Sequence, residues 1–127
     1  MLARLLLLVA ALVFGATAEA QTGHPIKGSW SGNLTADGGA VTHMRLLMAN
    51  TKTGDLTGSV NPGKNGVTMT KVDLAADTWT LIINAPLKEG ALVLTGKVSN
   101  LGSWTNRKYT GTYTLGSQKG KFEFRIN

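Results

Sequence analysis

The stretch Gly58-Ser59-Val60-Asn61-Pro62-Gly63-Lys64-Asn65 sets two glycines five residues apart ahead of a lysine. That spacing comes within one residue of a phosphate-binding loop, whose lysine must be followed by a serine or threonine that holds magnesium and by the N-terminus of a helix. Asn65 stands in place of the hydroxyl, and the residues that follow, Val67 to Leu74, have the composition of a strand, so the segment reads as a hairpin turn. A second candidate, Gly28-Ser29-Trp30-Ser31-Gly32, has the outline of a nucleophile elbow. That motif needs the serine in the middle, on a strand-to-helix turn. Trp30 occupies the middle here, and no helix pattern follows.

Metal and acid–base chemistry fare no better. His24 and His43 are the two imidazoles. His24 precedes Pro25 in an N-terminal tail, and His43 shares a strand face with Arg45, whose charge opposes a cation, so both read as surface residues. The carboxylates Asp37, Asp55, Asp73, Asp77 and Glu89 read as turn or surface residues. Glu123 alternates with Lys121 and Arg125 on a solvated strand face. No two are placed as an acid–base pair. The Asn33-Leu34-Thr35 sequon is short enough to arise by chance. The expectation is a non-catalytic protein without cofactor or metal.

The ends and the composition describe what carries these residues. Arg4, an uncharged and mostly apolar run from Leu5 to Ala18, and small residues at Ala18 and Ala20 form a secretory leader, with cleavage expected after Ala20. The run is shorter than the roughly 20 apolar residues needed to cross a bilayer. This makes the mature chain periplasmic or secreted and not membrane-spanning, with 21–25 as a flexible mature N-terminus and 26–127 as one domain. There are no cysteines, so the domain relies on sheet packing in place of disulfides. The formal charge is +6, and because Arg4 and Glu19 cancel, the mature chain keeps it. Such a balance favours anionic partners in general and calls for no specific nucleic acid.

Alternating apolar and polar residues with turn clusters at short intervals predict an all-β fold of about eight antiparallel strands. They are expected over Ile26–Leu34, Val41–Asn50, Leu56–Val60, Val67–Leu74, Trp79–Asn84, Ala91–Ser99, Tyr109–Leu115 and Lys121–Ile126, with 100–108 a loop. Short links imply hairpins, so strands adjacent in sequence should be adjacent in the sheet. Glycines 28, 32, 58, 96 and 111 fall inside strands, where they suit a sheet that bends sharply. An up-and-down barrel follows as the expected architecture, with a two-sheet sandwich as the alternative.

Gly28-Ser29-Trp30, Leu56-Thr57-Gly58, Trp79-Thr80-Leu81 and Phe122-Glu123-Phe124-Arg125 together resemble the calycin-type barrels, the avidins and lipocalins. The resemblance spans most of the mature chain and implies a small barrel. The avidin ligand residues do not carry over: the asparagine expected two residues after the motif tryptophan is Gly32, and the tyrosine after Leu-Thr-Gly is Val60. Lipocalins stack an arginine on the motif tryptophan; the late-strand candidate, Arg125, has outward parity.

Two functions are compatible with this pattern. A small apolar or amphipathic ligand could sit in the barrel against Trp30, Met44, Met48, Trp79, Tyr109 and Tyr113; the alternative for these side chains is that they fill the core. Or Arg107, Lys108, Lys119, Lys121 and Arg125 could form a basic patch, with Trp104, Asn106 and the threonine face beside it, for anionic envelope polysaccharide or lipid headgroups. Self-association into a homo-oligomer is a third role.

Overall fold

The last strand shows how the sequence writes the fold. Phe122, Phe124 and Ile126 alternate with Lys121, Glu123 and Arg125, and in the computed structural model the first set is buried and the second exposed. Residues 25–103 and 105–126 are described. The expected leader, His24 and Trp104 lie outside them.

Nine strands form: β1 Gly28–Ala36, β2 Val41–Asn50, β3 Leu56–Val60, β4 Val67–Thr68, β5 Lys71–Ala75, β6 Thr80–Leu87, β7 Gly90–Ser99, β8 Lys108–Leu115 and β9 Gln118–Ile126. All belong to one sheet, ordered β4-β3-β2-β1-β9-β8-β7-β6-β5, and every pairing is antiparallel. Apart from β4 and β5, sequence neighbours are sheet neighbours, as short hairpin links require, and the first strand also pairs with the last. No helix occurs among the described residues. By its ladders the sheet is an open half-barrel, with β4 and β5 at its two edges.

Those edges come from one expected strand. The run Val67–Leu74 divides at Met69-Thr70, because the chain changes partner there. The Met69 N–H bonds the Gly58 carbonyl on β3, and the Thr70 N–H bonds the Asn84 carbonyl on β6, both at 2.8 Å. The other departure is Trp79, expected to open a strand with its ring inward; it packs against the core but does not open the strand. It ends the turn after β5 in a left-handed conformation (φ 55°) and is half-buried, and β6 starts at Thr80. Tight hairpin loops commonly place a left-handed residue before the chain rejoins the ladder.

The inner face of the curl is the core. Trp30, Leu34, Leu46, Val60, Leu81, Ile83, Leu92, Leu94, Tyr109 and Phe124 are each no more than 2% exposed. Glycines and aromatics alternate across β8, β9 and β1: Tyr113 pairs with Gly120, Gly111 with Phe122, and Gly32 with Phe124. At Gly32, Gly96, Gly111 and Gly120 an added Cβ would overlap a backbone carbonyl of the neighbouring strand. Only glycine permits so sharp a bend, and the opposed rings fill the space it leaves. Tyr109 and Phe122 meet edge-on with centroids 4.6 Å apart.

One end of the curl is capped. The Trp30 indole N–H donates to the Ile26 carbonyl at 2.9 Å, and Arg107 Nη1 donates to the adjacent Pro25 carbonyl at 3.0 Å. Arg107 Nη2 reaches Leu101 O at 3.0 Å, and its own carbonyl accepts from Ile126 N–H.

Candidate functional site

The outer face of β7, β8, β9, β1 and β2 is built by register. One cross-strand row runs Ser99, Lys108, Arg125, Ser31, Arg45. The next runs Lys97, Thr110, Glu123, Asn33, His43, and a third Thr95, Thr112, Lys121, Thr35, Val41. Lys119 follows beside Thr114, next to Asp37 in the adjoining turn. Arg45, Lys97, Lys108, Lys119, Lys121 and Arg125 thus share a face on whose strands Glu123 is the one carboxylate. The Asp55, Asp73, Asp77 and Glu89 side chains belong to other parts of the fold. Neighbouring strands lie about 5 Å apart and residues two apart along a strand about 7 Å, so Lys108 and Arg125 stand directly opposite each other while Arg45 lies two strands, about 10 Å, from Arg125.

The face is hollowed. A groove of ≈ 790 Å³ runs along β1, β9 and β8 between Ser31, Asn33, Thr110, Lys121, Glu123 and Arg125, where Gly32 and Gly111 let the strands bend. Arg125 also borders a second hollow of ≈ 520 Å³ against Asn100, Ser103, Asn106 and Lys108. Ser31 and Asn33 border a third, with His43 and Arg45. The three adjoin. Arg125 Nε pairs with Glu123 Oε2 at 3.1 Å, both side chains remaining half-exposed.

Of the basic set expected from sequence, Lys119, Lys121 and Arg125 are exposed and Lys108 is half-buried on this face. Arg107 is not part of it. It is 4% exposed, its guanidinium spent on the Pro25 and Leu101 carbonyls, and burial lowers its pKa. In its place the register brings in Arg45 and Lys97, two isolated charges in the sequence that the cross-strand rows set on the same face as Lys108, Lys121 and Arg125. Asn106 borders the second hollow as expected.

The aromatic and methionine set lies elsewhere. Trp30, Met48, Tyr109 and Tyr113 are buried, and the tyrosine hydroxyls are engaged: Tyr109 with Leu81 O at 2.7 Å, Tyr113 with Gln118 Oε1 at 3.0 Å. Burial pushes the Tyr109 phenol far above its ordinary value; for Tyr113 burial leads and the Asp37 carboxylate adds to it. Met44 is the member that reaches a cavity at the uncapped end, ≈ 510 Å³ between Val60, Asn61, Val67, Leu87 and Leu115. The stretch with phosphate-loop outline is a turn: Asn61 takes a left-handed φ of 49°, its amide and side-chain oxygen both bond Arg45, and β4 follows. Among the described residues no three His, Asp or Glu side chains are grouped to hold a metal. Neither a protein-family model, nor a curated protein, nor a solved structure matches the chain.

Proposed function

We propose that the chain is an exported, non-catalytic β-barrel that binds anionic envelope polysaccharide through the hollowed outer face of β7, β8, β9, β1 and β2. The observation that carries this reading is the register, which gathers six cations on one face and sets two of them, Lys121 and Arg125, in a groove of ≈ 790 Å³ lined also by hydroxyls, an amide and one carboxylate. Spread cations attract a polyanion, and Ser31, Asn33, Thr110 and Thr112 offer the donors and acceptors that sugar hydroxyls need.

Export rests on the leader-like first twenty residues. Closure of the half-barrel into a barrel of calycin type is supported by the Met69 and Thr70 amides, which tie the 67–75 segment to β3 on one side and β6 on the other. A closed sheet leaves no edge for unwanted pairing.

A second reading has its own support: the apolar ring of Met44, Val60, Val67, Leu87 and Leu115 around the uncapped end suits a small amphipathic molecule. It is secondary because most of the expected interior ligand set is packed in the core.

The test is binding of the purified protein to an anionic polysaccharide and to neutral dextran at rising salt. The reading expects binding to the anionic polymer alone, weakening steeply between 50 and 300 mM salt, roughly the range over which screening shortens below 10 Å. It also expects loss of that binding on replacing Lys121 and Arg125 with glutamine. Equal binding to dextran, or binding indifferent to the double replacement, contradicts it.

A further inference from the structure

We infer that Glu123 sets which anionic polymer the face accepts, admitting chains whose charges are separated by a neutral hydroxylated sugar and rejecting chains charged on every unit. The inference rests on the polysaccharide reading above and concerns the same groove.

Glu123 stands at the centre of the site. Along β9 it lies between Lys121 and Arg125, which are four residues, or about 13 Å, apart. Across the sheet it lies between Thr110 and Asn33, both neutral. All five line the same groove. A polymer laid along β9 would therefore meet a cation, a carboxylate flanked by an amide and a hydroxyl, and a second cation whose Nε is paired with that carboxylate. An anionic group suits the two ends of that sequence. In the middle, a carboxylate repels another anion and accepts hydrogen bonds from hydroxyls.

Glu123 Oε2 is fixed by Arg125 Nε at 3.1 Å, while the side chain remains 50% exposed. Exposed pairs of this kind add little to stability. Its position in the middle of a cationic groove is therefore better explained by what the groove excludes than by what it holds together.

Two polymers separate the possibilities because both are sugars bearing carboxylates and differ in charge spacing. Hyaluronan carries one on alternate sugars, and polygalacturonate carries one on every sugar. The expected result is that the wild-type protein prefers hyaluronan at equal salt. Glu123→Gln also releases Arg125 from its pair, so both polymers should bind more tightly, and polygalacturonate should gain about fivefold more than hyaluronan, the effect of removing one like-charge contact at about 4 Å in water. Glu123→Thr, which suits an exposed strand position, should behave the same way, and unchanged thermal midpoints would establish that both variants fold. Equal wild-type affinity for the two polymers, or a parallel shift of both on replacing Glu123, overturns the inference and leaves the polysaccharide reading standing. Failure of the wild type to bind either polymer overturns both.

Discussion

Phe122 lies across the sheet over Gly96: a Cβ added at Gly96 would stand 2.8 Å from Phe122 Cζ, with Gly111 paired to both residues between them. The ring covers two glycines on adjacent strands, and the bend those glycines permit hollows the opposite, outer face. Core packing and the candidate groove are two sides of one deformation.

Gly96→Ala should therefore be costly. The new methyl meets both the ring and the Thr110 carbonyl, and overpacking of this kind costs about 2 kcal/mol, or about 10 °C in Tm for a domain of this size. Gly38→Ala, where nothing lies within 4 Å, should change stability by less than about 0.5 kcal/mol. Thermal unfolding of the two variants makes the comparison.

Arg107 should behave as a structural residue. Arg107→Met leaves the Pro25 and Leu101 carbonyls without their donor, at a cost of about 3 kcal/mol in urea unfolding. Polysaccharide affinity at full folding should stay within about twofold, since the guanidinium is bonded to the Pro25 and Leu101 carbonyls and does not line the groove. A loss of affinity comparable to that of the Lys121 and Arg125 replacements would place Arg107 on the binding face after all.

Alkaline sensitivity follows from Tyr109. Its phenol is buried against the Leu81 carbonyl and its pKa is raised by desolvation. The folded state then holds a proton that the unfolded state releases above about pH 10. The stabilisation is complete below that pH and is lost as pH rises beyond it, at about 1.4 kcal/mol per unit. Urea midpoints from pH 9 to 11.5 should fall, and Tyr109→Phe should flatten the part of the slope due to this residue. A slope unchanged by the replacement would assign the sensitivity to other groups.

Much of this architecture could be read directly from the chain. Met44, Leu46 and Met48, or Phe122, Phe124 and Ile126, announce strand and face together because period two has one physical meaning on a half-buried sheet. The in-strand glycines announced the bend. The candidate site was harder. That Arg45 and Lys97 join Lys121 and Arg125 depends on register across five strands, which hairpin geometry sets and single residues do not reveal. Arg107 misled because it sits in a loop, where no periodicity distinguishes a buried guanidinium from an exposed one. Trp79 does pack against the core as its parity implied, but it ends the turn before β6, where a left-handed residue is needed, and does not open the strand.

The most direct test of the binding face is an amide chemical-shift titration of labelled protein with an anionic oligosaccharide at low salt. The account predicts that the largest shifts cluster at Ser31, Asn33, Thr110, Lys121, Glu123 and Arg125, and that they fade together as salt is added. Shifts concentrated instead around Thr42, Asn61, Asn65 and Leu87 at the uncapped end, or scattered over the surface without saturation, would contradict it.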